Sequence, residues 1–314
     1  MVKYRDAPSG DHRPMHAHED IRIGTLVPVH ERTAEVIRQL LPLGFETFQL
    51  SFGHRVGEID LRRLAGDIGE VLSSGEAADG VPRRISALGL YGNPLTSPEV
   101  AADWERLIDA AGFFACPIVA GFAGRIPGRP VPESLPRFTE VFTSLAGRSE
   151  DRGVRIAFEN CEKRGNWTVG DWNIAFTPRA WELMFEAVPS PVLGLEWEPC
   201  HQLMMFADPI PQLRRWVDRI WHVHGKDAML LHDVIREHGV RSGVPFAHHC
   251  LPGFGDTDWS RLIGILRMAG WQGSIDIEGY HDPVFEGPLE ATGQVAALEH
   301  LIRCRGGRFV ANPQ

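Results

Sequence analysis

From Ile21 onward, short apolar runs alternate with amphipathic stretches, a rhythm that predicts repeated strand and helix units around a parallel sheet. The runs read as strands are IRIGTLV (21–27), FETFQLSF (45–52), RRISALGLYG (83–92), CPIVAGF (116–122), VRIAFEN (154–160), PVLGLEWE (191–198), RIWHVHGKD (219–227) and GSIDIEG (273–279). Between them lie stretches such as ERTAEVIRQLLPLG, DLRRLAGDIGEVL, SPEVAADWERLIDAAG, SLPRFTEVFTSLAGRSED, TPRAWELMFEAV and DWSRLIGILRMAG. Several open on Ser, Thr or Asp as an N-cap, and several close on Gly. Eight strands with interleaved helices in a chain of 314 residues predict the α/β class and a single (β/α)8 TIM barrel over 21–314 with long βα loops. A doubly wound sheet would place a GxGxxG at its first βα turn, and IRIGTLVPVHE has none. Residues 1–20 are polar and aperiodic and predict an N-terminal arm, in which nothing fixes His12, His16 and His18 around an ion.

Composition narrows the partners. A hydrophobic content of 43% can supply a full-sized core. The formal charge of -9 argues against nucleic acid, whose binding draws on Lys and Arg, and favours a small polar substrate. No apolar run reaches the roughly 18 residues needed to span a bilayer, and no signal-type stretch opens the chain, so a cytoplasmic protein is expected. The five cysteines form no CxxC pair and read as buried reduced thiols rather than a disulfide framework or a thiolate zinc site. Nothing in the sequence fixes an interface, which leaves a homo-oligomer or a partner subunit open.

In a barrel of this kind the chemistry sits where strands end and βα loops begin. The last four strands each offer a polar residue there: Glu159 closes VRIAFEN, Glu198 closes LGLEWE, His224 lies in WHVHGKD and Glu278 closes SIDIEG. Strand alternation puts Glu196 on the face of Glu198, His222 with His224 and Asp276 with Glu278, while Trp197, Val223 and Ile277 face outward to the helices. Buried carboxylates are costly unless paired or bound to a cation. One reading is internal salt bridges across the barrel. The other, which four groups in register on successive strands favour, is a metal centre of Glu159, Glu198, His224 and Glu278. An oxygen-rich set with one nitrogen suits one divalent ion, Mn2+ first, then Mg2+, Co2+ or Fe2+.

The runs FEN, EPCH, HVHGKD and DIEGYHDP resemble those of the sugar phosphate isomerase/epimerase family, with its xylose isomerase-like barrel, over about Ile21 to Leu301. The resemblance implies that Glu159, Glu198 with His201, His224 and Glu278 occupy the family's ligand and site positions. It also implies a ketose or keto-sugar substrate, proton abstraction next to a carbonyl, and an enediolate stabilised by the ion. Glu159 and Glu278 inherit the roles of catalytic bases on opposite faces of the substrate. His201 either meets substrate oxygens or only orients Glu198, and Lys226 either binds substrate or pairs with Asp227. The implied activity is a metal-dependent isomerase or epimerase. The alternatives are a lyase acting on 3-keto-glycosides, carbon-linked ones included, and an inosose dehydratase-like enzyme.

The chain departs from the family pattern in places. Strand six ends in Glu198 where the family usually has Asp, and positions that carry Glu and Arg in the epimerase branch are Gly165 and Leu230 here. The insertion CEKRGNWTVGDWNIAFTP after Glu159 offers Trp167 and Trp172, suited either to stacking on a sugar or aglycone or to anchoring the loop. GFAGRIPGRP adds Arg125 and Arg129, read as anion contacts or solvated charges. AHHCLPGFGDTDW puts His248 and His249 near the rim, where its Gly and Pro would also serve a turn.

Overall fold

Each of the eight apolar windows holds one strand of a closed parallel barrel. In the computed structural model, which describes residues 20–74 and 82–307, these are β1 (Ile21–Pro28), β2 (Thr47–Ser51), β3 (Arg84–Leu90), β4 (Ile118–Gly121), β5 (Arg155–Glu159), β6 (Leu193–Trp197) and β7 (Ile220–Gly225). A hairpin of β8 (Asp227–Leu230) and β9 (Ala247–Cys250) follows, and β10 (Gly273–Ile277) is the eighth barrel strand. Around the barrel the order is β1-β10-β7-β6-β5-β4-β3-β2. The last four barrel strands are therefore contiguous neighbours, and their loops open side by side. The expected arm falls outside the described residues through position 19. Asp20 is described: its carboxylate pairs with Arg267 at 2.6 Å and its carbonyl accepts from Gly273 N.

The helices are α1 (Thr33–Leu40), α2 (Leu61–Ser74), α3 (Pro98–Ala110), α4 (Val131–Glu150), α5 (Pro178–Ala187), α6 (Cys200–Met204), α7 (Pro209–Trp216), α8 (His232–His238), α9 (Trp259–Met268) and α10 (Glu290–Arg305). Their starts are encoded locally. Ser97, Thr177, Asp208 and Asp258 accept backbone hydrogen bonds from Val100, Ala180, Ile210 and Arg261, and Pro98, Pro178 and Pro209 fill the following position, where a missing N–H costs nothing. The Gly- and Pro-rich run after Cys250 forms the expected turn into α9, while AHHC ahead of it, which no apolar run marked as a strand, is β9 of the β8–β9 hairpin. Asp227 pairs with Cys250 and Leu230 with Ala247, so the segment is a strand, with α8 spanning the gap between the two.

Outward strand residues and inward helix faces form one apolar layer. Phe138, Phe142 and Phe158 interlock with centroids 4.8 to 5.6 Å apart, and Trp181, Trp197 and Trp259 are almost wholly buried. Each large apolar side chain so placed contributes on the order of 1.5–3 kcal/mol. The inward face of the barrel is polar: Thr47, Gln49, Ser86, Glu196, His222 and Asp276 are all buried. Gly24 makes room for part of this layer, since a Cβ there would stand 2.1 Å from Thr47 O and 2.2 Å from Asp276 Oδ1. Among the described residues no helix is long and apolar enough to cross a membrane.

Candidate active site

At the ends of β5, β6, β7 and β10 the four expected ligands meet. Glu159, Glu198, His224 and Glu278 each present a donor atom within 4.8 Å of the others, and all four are buried. The strand ends are clamped to one another. Asn160 donates to Glu198 O (2.9 Å) and accepts from Glu198 N (2.7 Å), while Asn173 donates to Glu159 O (2.9 Å) and Cys161 O (2.8 Å). The carboxylates are thus placed by their backbones as well as by their neighbours.

His224 is held from behind. Its Nε2 lies 2.8 Å from Gln49 Oε1 and 3.2 Å from Glu196 Oε1, so this nitrogen carries a proton and donates. Its Nδ1 faces the cavity side, 3.1 Å from Glu278 Oε2 and 3.5 Å from Glu159 Oε1. Gln49 is itself fixed, donating to Glu196 Oε1 (2.6 Å) and Tyr91 OH (2.7 Å). His222 bridges Glu196 (3.0 Å) and Asp276 (2.7 Å), and Thr47 and Ser86 complete the ring of contacts on Asp276. This polar layer explains Glu196, His222 and Asp276, the inward residues one step below the ligands.

The donor set fits a divalent cation. Glu198 Oε1 and Oε2, His224 Nδ1 and Glu278 Oε2 are all buried with no aligned hydrogen-bond partner, an arrangement that leaves full desolvation costs unanswered unless a cation answers them. Three carboxylates and one imidazole suit a hard or borderline ion. In such a site His224 would ligate through Nδ1, with Gln49 and Glu196 as the partners that fix its tautomer.

The two outer glutamates differ. Burial pushes the Glu159 carboxyl up to about 7, against the opposing pull of its contact with His224. Glu278 is equally buried, yet the Lys226 ammonium, 2.6 Å from its Oε1, and the contact with His224 hold its carboxyl well below the usual range. For His224 burial opposes the charge, but the Glu196 carboxylate and the contacts with Glu159 and Glu278 outweigh it and raise the imidazole well above its ordinary value. Lys226 therefore pairs with Glu278 rather than with Asp227, whose carboxylate instead accepts from Ala228 N, Thr257 N and Trp259 Nε1.

Above the ligands opens a cavity of about 710 Å³ whose lining includes Glu159, Glu278, Lys226, His201, Tyr91 and Trp172. Trp172 lies against His54 with ring centroids 5.0 Å apart. Trp167 is not among the lining residues: it packs on the core beneath the Arg179 guanidinium, 4.3 Å away. Both nitrogens of His201 are turned toward carboxylates, Nε2 to Glu198 Oε1 at 2.7 Å and Nδ1 to Glu162 Oε2 at 3.0 Å, rather than toward open space. Arg125 neither meets an anion nor reaches solvent. It is fully buried and donates to the carbonyls of Arg129, Asn166 and Trp167, stapling the long loop after β5. His249 lines the cavity, whereas His248 is exposed on β9.

Sequence reasoning missed Gln49, Tyr91, His54 and Glu162. A glutamine at an inward position of the strand TFQLS was a readable signal for the first. The others lie just past strand ends or in loops, where no period marks them.

A parallel eight-stranded barrel carrying four convergent metal-type donors at the C-terminal ends of its strands defines the class of protein. A family model described as xylose isomerase-like TIM barrel matches residues 37–304, and the chain belongs to that family. An inosose dehydratase of Clostridium tetani is 29% identical over 174 residues, 51% of this chain and 55% of that protein. The chain spans about half the length of the curated relatives it matches. Among solved structures, the 3-keto-D-glucoside 4-epimerase YcjR from E. coli superposes with a TM-score of 0.66 at 16% identity, covering 90% of this chain and 100% of that one. An L-ribulose 3-epimerase gives 0.65 at 15% identity over 91% of this chain and 96% of its own. At these identities the superpositions speak for the fold.

Proposed function

We propose that the protein is a divalent-metal-dependent isomerase or epimerase of a ketose or keto-sugar, working by proton transfer at a carbon next to the carbonyl. The observation that carries the reading is the convergence of Glu159 and Glu278 on His224 Nδ1 from separate strands, at the floor of a polar cavity. A bound cation, with Mn2+ the first candidate, would polarise the substrate carbonyl and acidify the adjacent C–H. Glu278 and Glu159 then serve as proton acceptor and donor, respectively, on the two sides of the reacting carbon. Lys226 keeps Glu278 ionised and ready to accept. His201 acts on the substrate through Glu198, whose carboxylate it holds. Trp172 offers the half-buried ring on which a sugar face rests. The partner in this reading is a small sugar, with no nucleic acid or membrane, and the setting is the cytoplasm.

A second reading is favoured by the curated relatives, several of which are named inosose dehydratases. There the same proton abstraction is followed by departure of a hydroxyl or glycosyl group from the neighbouring carbon.

The experiment that tests both is incubation of the Mn2+-loaded protein in D2O with a panel of ketoses, inososes and 3-keto-glycosides, read by NMR. Deuterium at the carbon next to the carbonyl with the skeleton intact supports isomerisation or epimerisation, and loss of water or aglycone supports the lyase. Glu159→Gln and Glu278→Gln should each slow exchange by about 10²-fold or more, since an amide cannot take the proton. Exchange at the wild-type rate in both variants would remove the two-glutamate mechanism.

A further inference from the structure

We propose a second metal site beside the first, in which Cys161, Glu162 and His201 hold a borderline ion of the Zn2+ type at the wall of the cavity. The three side chains each offer one donor atom, and these lie within 4.8 Å of one another. All three line the cavity, with Cys161 9% and His201 5% exposed. His201 Nδ1 and Glu162 Oε2 stand 3.0 Å apart, yet neither is aligned for a hydrogen bond with the other or with any described group. Two buried polar atoms beside a thiol, both without a hydrogen-bond partner, form a donor set that a cation would complete.

The scaffold presents these donors ready-made. Asn173 fixes the Cys161 carbonyl, a turn closed by Gly165 N on Glu162 O positions the next residue, and α6 carries His201 directly after β6. The Lys226 ammonium on the same wall is already matched by Glu278. One sulfur, one nitrogen and one oxygen make a softer set than the four inner ligands, so this site selects Zn2+ or Co2+ over Mg2+. Burial pushes the Cys161 thiol up, and an incoming ion displaces its proton, as metal binding to thiols requires. Three protein ligands leave a coordination position for water or a substrate oxygen, the pattern of open rather than closed zinc sites.

The placement of His201 links the two sites. With Nδ1 on the outer ion, Nε2 would carry the proton and face Glu198 Oε1 across 2.7 Å, an electrostatic contact that links the outer ion to a ligand of the inner site. This goes beyond the proposed reaction and does not depend on it.

The test is a Co2+ titration of the full-length protein after chelator treatment, following bound metal by elemental analysis and the near-ultraviolet thiolate-to-cobalt charge-transfer band. The wild type should take up two equivalents and develop the band, and added Zn2+ should erase it. Cys161→Ala should lose the band and one equivalent while keeping the visible bands of the inner ion. Glu278→Gln should weaken the inner ion and keep the band, which separates this site from the proposed catalytic one. Glu162→Gln, a change on a partly exposed side chain that leaves the fold intact, should raise the Kd of the band-forming ion about tenfold or more. A wild type that binds one equivalent without the band overturns the proposal, as does a Cys161→Ala protein with unchanged stoichiometry and spectrum, or a Glu162→Gln protein with unchanged Kd.

Discussion

Replacing Lys226 with Met keeps the stem and removes the ammonium that stands 2.6 Å from Glu278 Oε1, with both side chains at least nine-tenths buried. At an effective dielectric of about 20, two unit charges at that separation attract by roughly 6 kcal/mol. Glu278 retains one other contact, His224 Nδ1 at 3.1 Å from its second oxygen, so part of the loss is offset. The net cost for the metal-free protein should fall near the 3–5 kcal/mol typical of a buried pair broken from one side. That is a large share of the roughly 5–15 kcal/mol that holds a typical domain folded. Urea denaturation of metal-free Lys226→Met and wild type, compared at equal m values, reads the difference directly. A divalent ion at a hundredfold excess over its Kd should stabilise the variant by about 2.7 kcal/mol relative to its own metal-free form. A metal-free loss under about 1 kcal/mol would show that the pair is solvated or idle and would refute the electrostatic account of the site.

The remaining predictions concern the ion and the loop. Burial raises Glu159 to about 7 in the metal-free protein, so below that pH a proton competes with the cation; His224, also raised, extends the competition upward. Mn2+ affinity should therefore climb between about pH 5.5 and 8, approaching tenfold per unit where one proton is released, and a flat profile by calorimetry would contradict it. Gln49→Leu removes the acceptor that holds His224 Nε2 and should weaken Mn2+ binding by about 10–100-fold while leaving the far-UV circular dichroism unchanged. Arg125→Met strips the donors from the carbonyls of Arg129, Asn166 and Trp167; it should cost about 3 kcal/mol and open the loop to limited proteolysis within 162–170, and a protease-resistant variant would contradict the stapling role.

Much of this protein is written in its sequence at short range. Period-two alternation and the apolar runs located all eight barrel strands, because a strand buried on its outer face must alternate wherever its inner face is polar. The same alternation placed Glu159, Glu198, His224 and Glu278 on the inner side of successive strand ends, and the closed β10-β7-β6-β5 order brings them within 4.8 Å of one another. The loops obey no such period. Whether Trp167 or Trp172 reaches the cavity, and whether Arg125 is solvated or buried under three carbonyls, depends on where chain segments about 40 residues apart meet. The cysteine spacing pointed away from a thiolate site, yet the fold sets Cys161 and Glu162 from the end of β5 beside His201 from the end of β6. The β8–β9 hairpin went unread for a related reason: AHHC pairs with a segment seventeen residues upstream, counted from Leu230 to Ala247, and its strand character comes from that pairing rather than from its own composition. Local periodicity determines which face of a strand a residue occupies. Only the packed tertiary structure decides which loop atoms share a cavity, because those contacts are fixed by long-range burial that no single segment encodes.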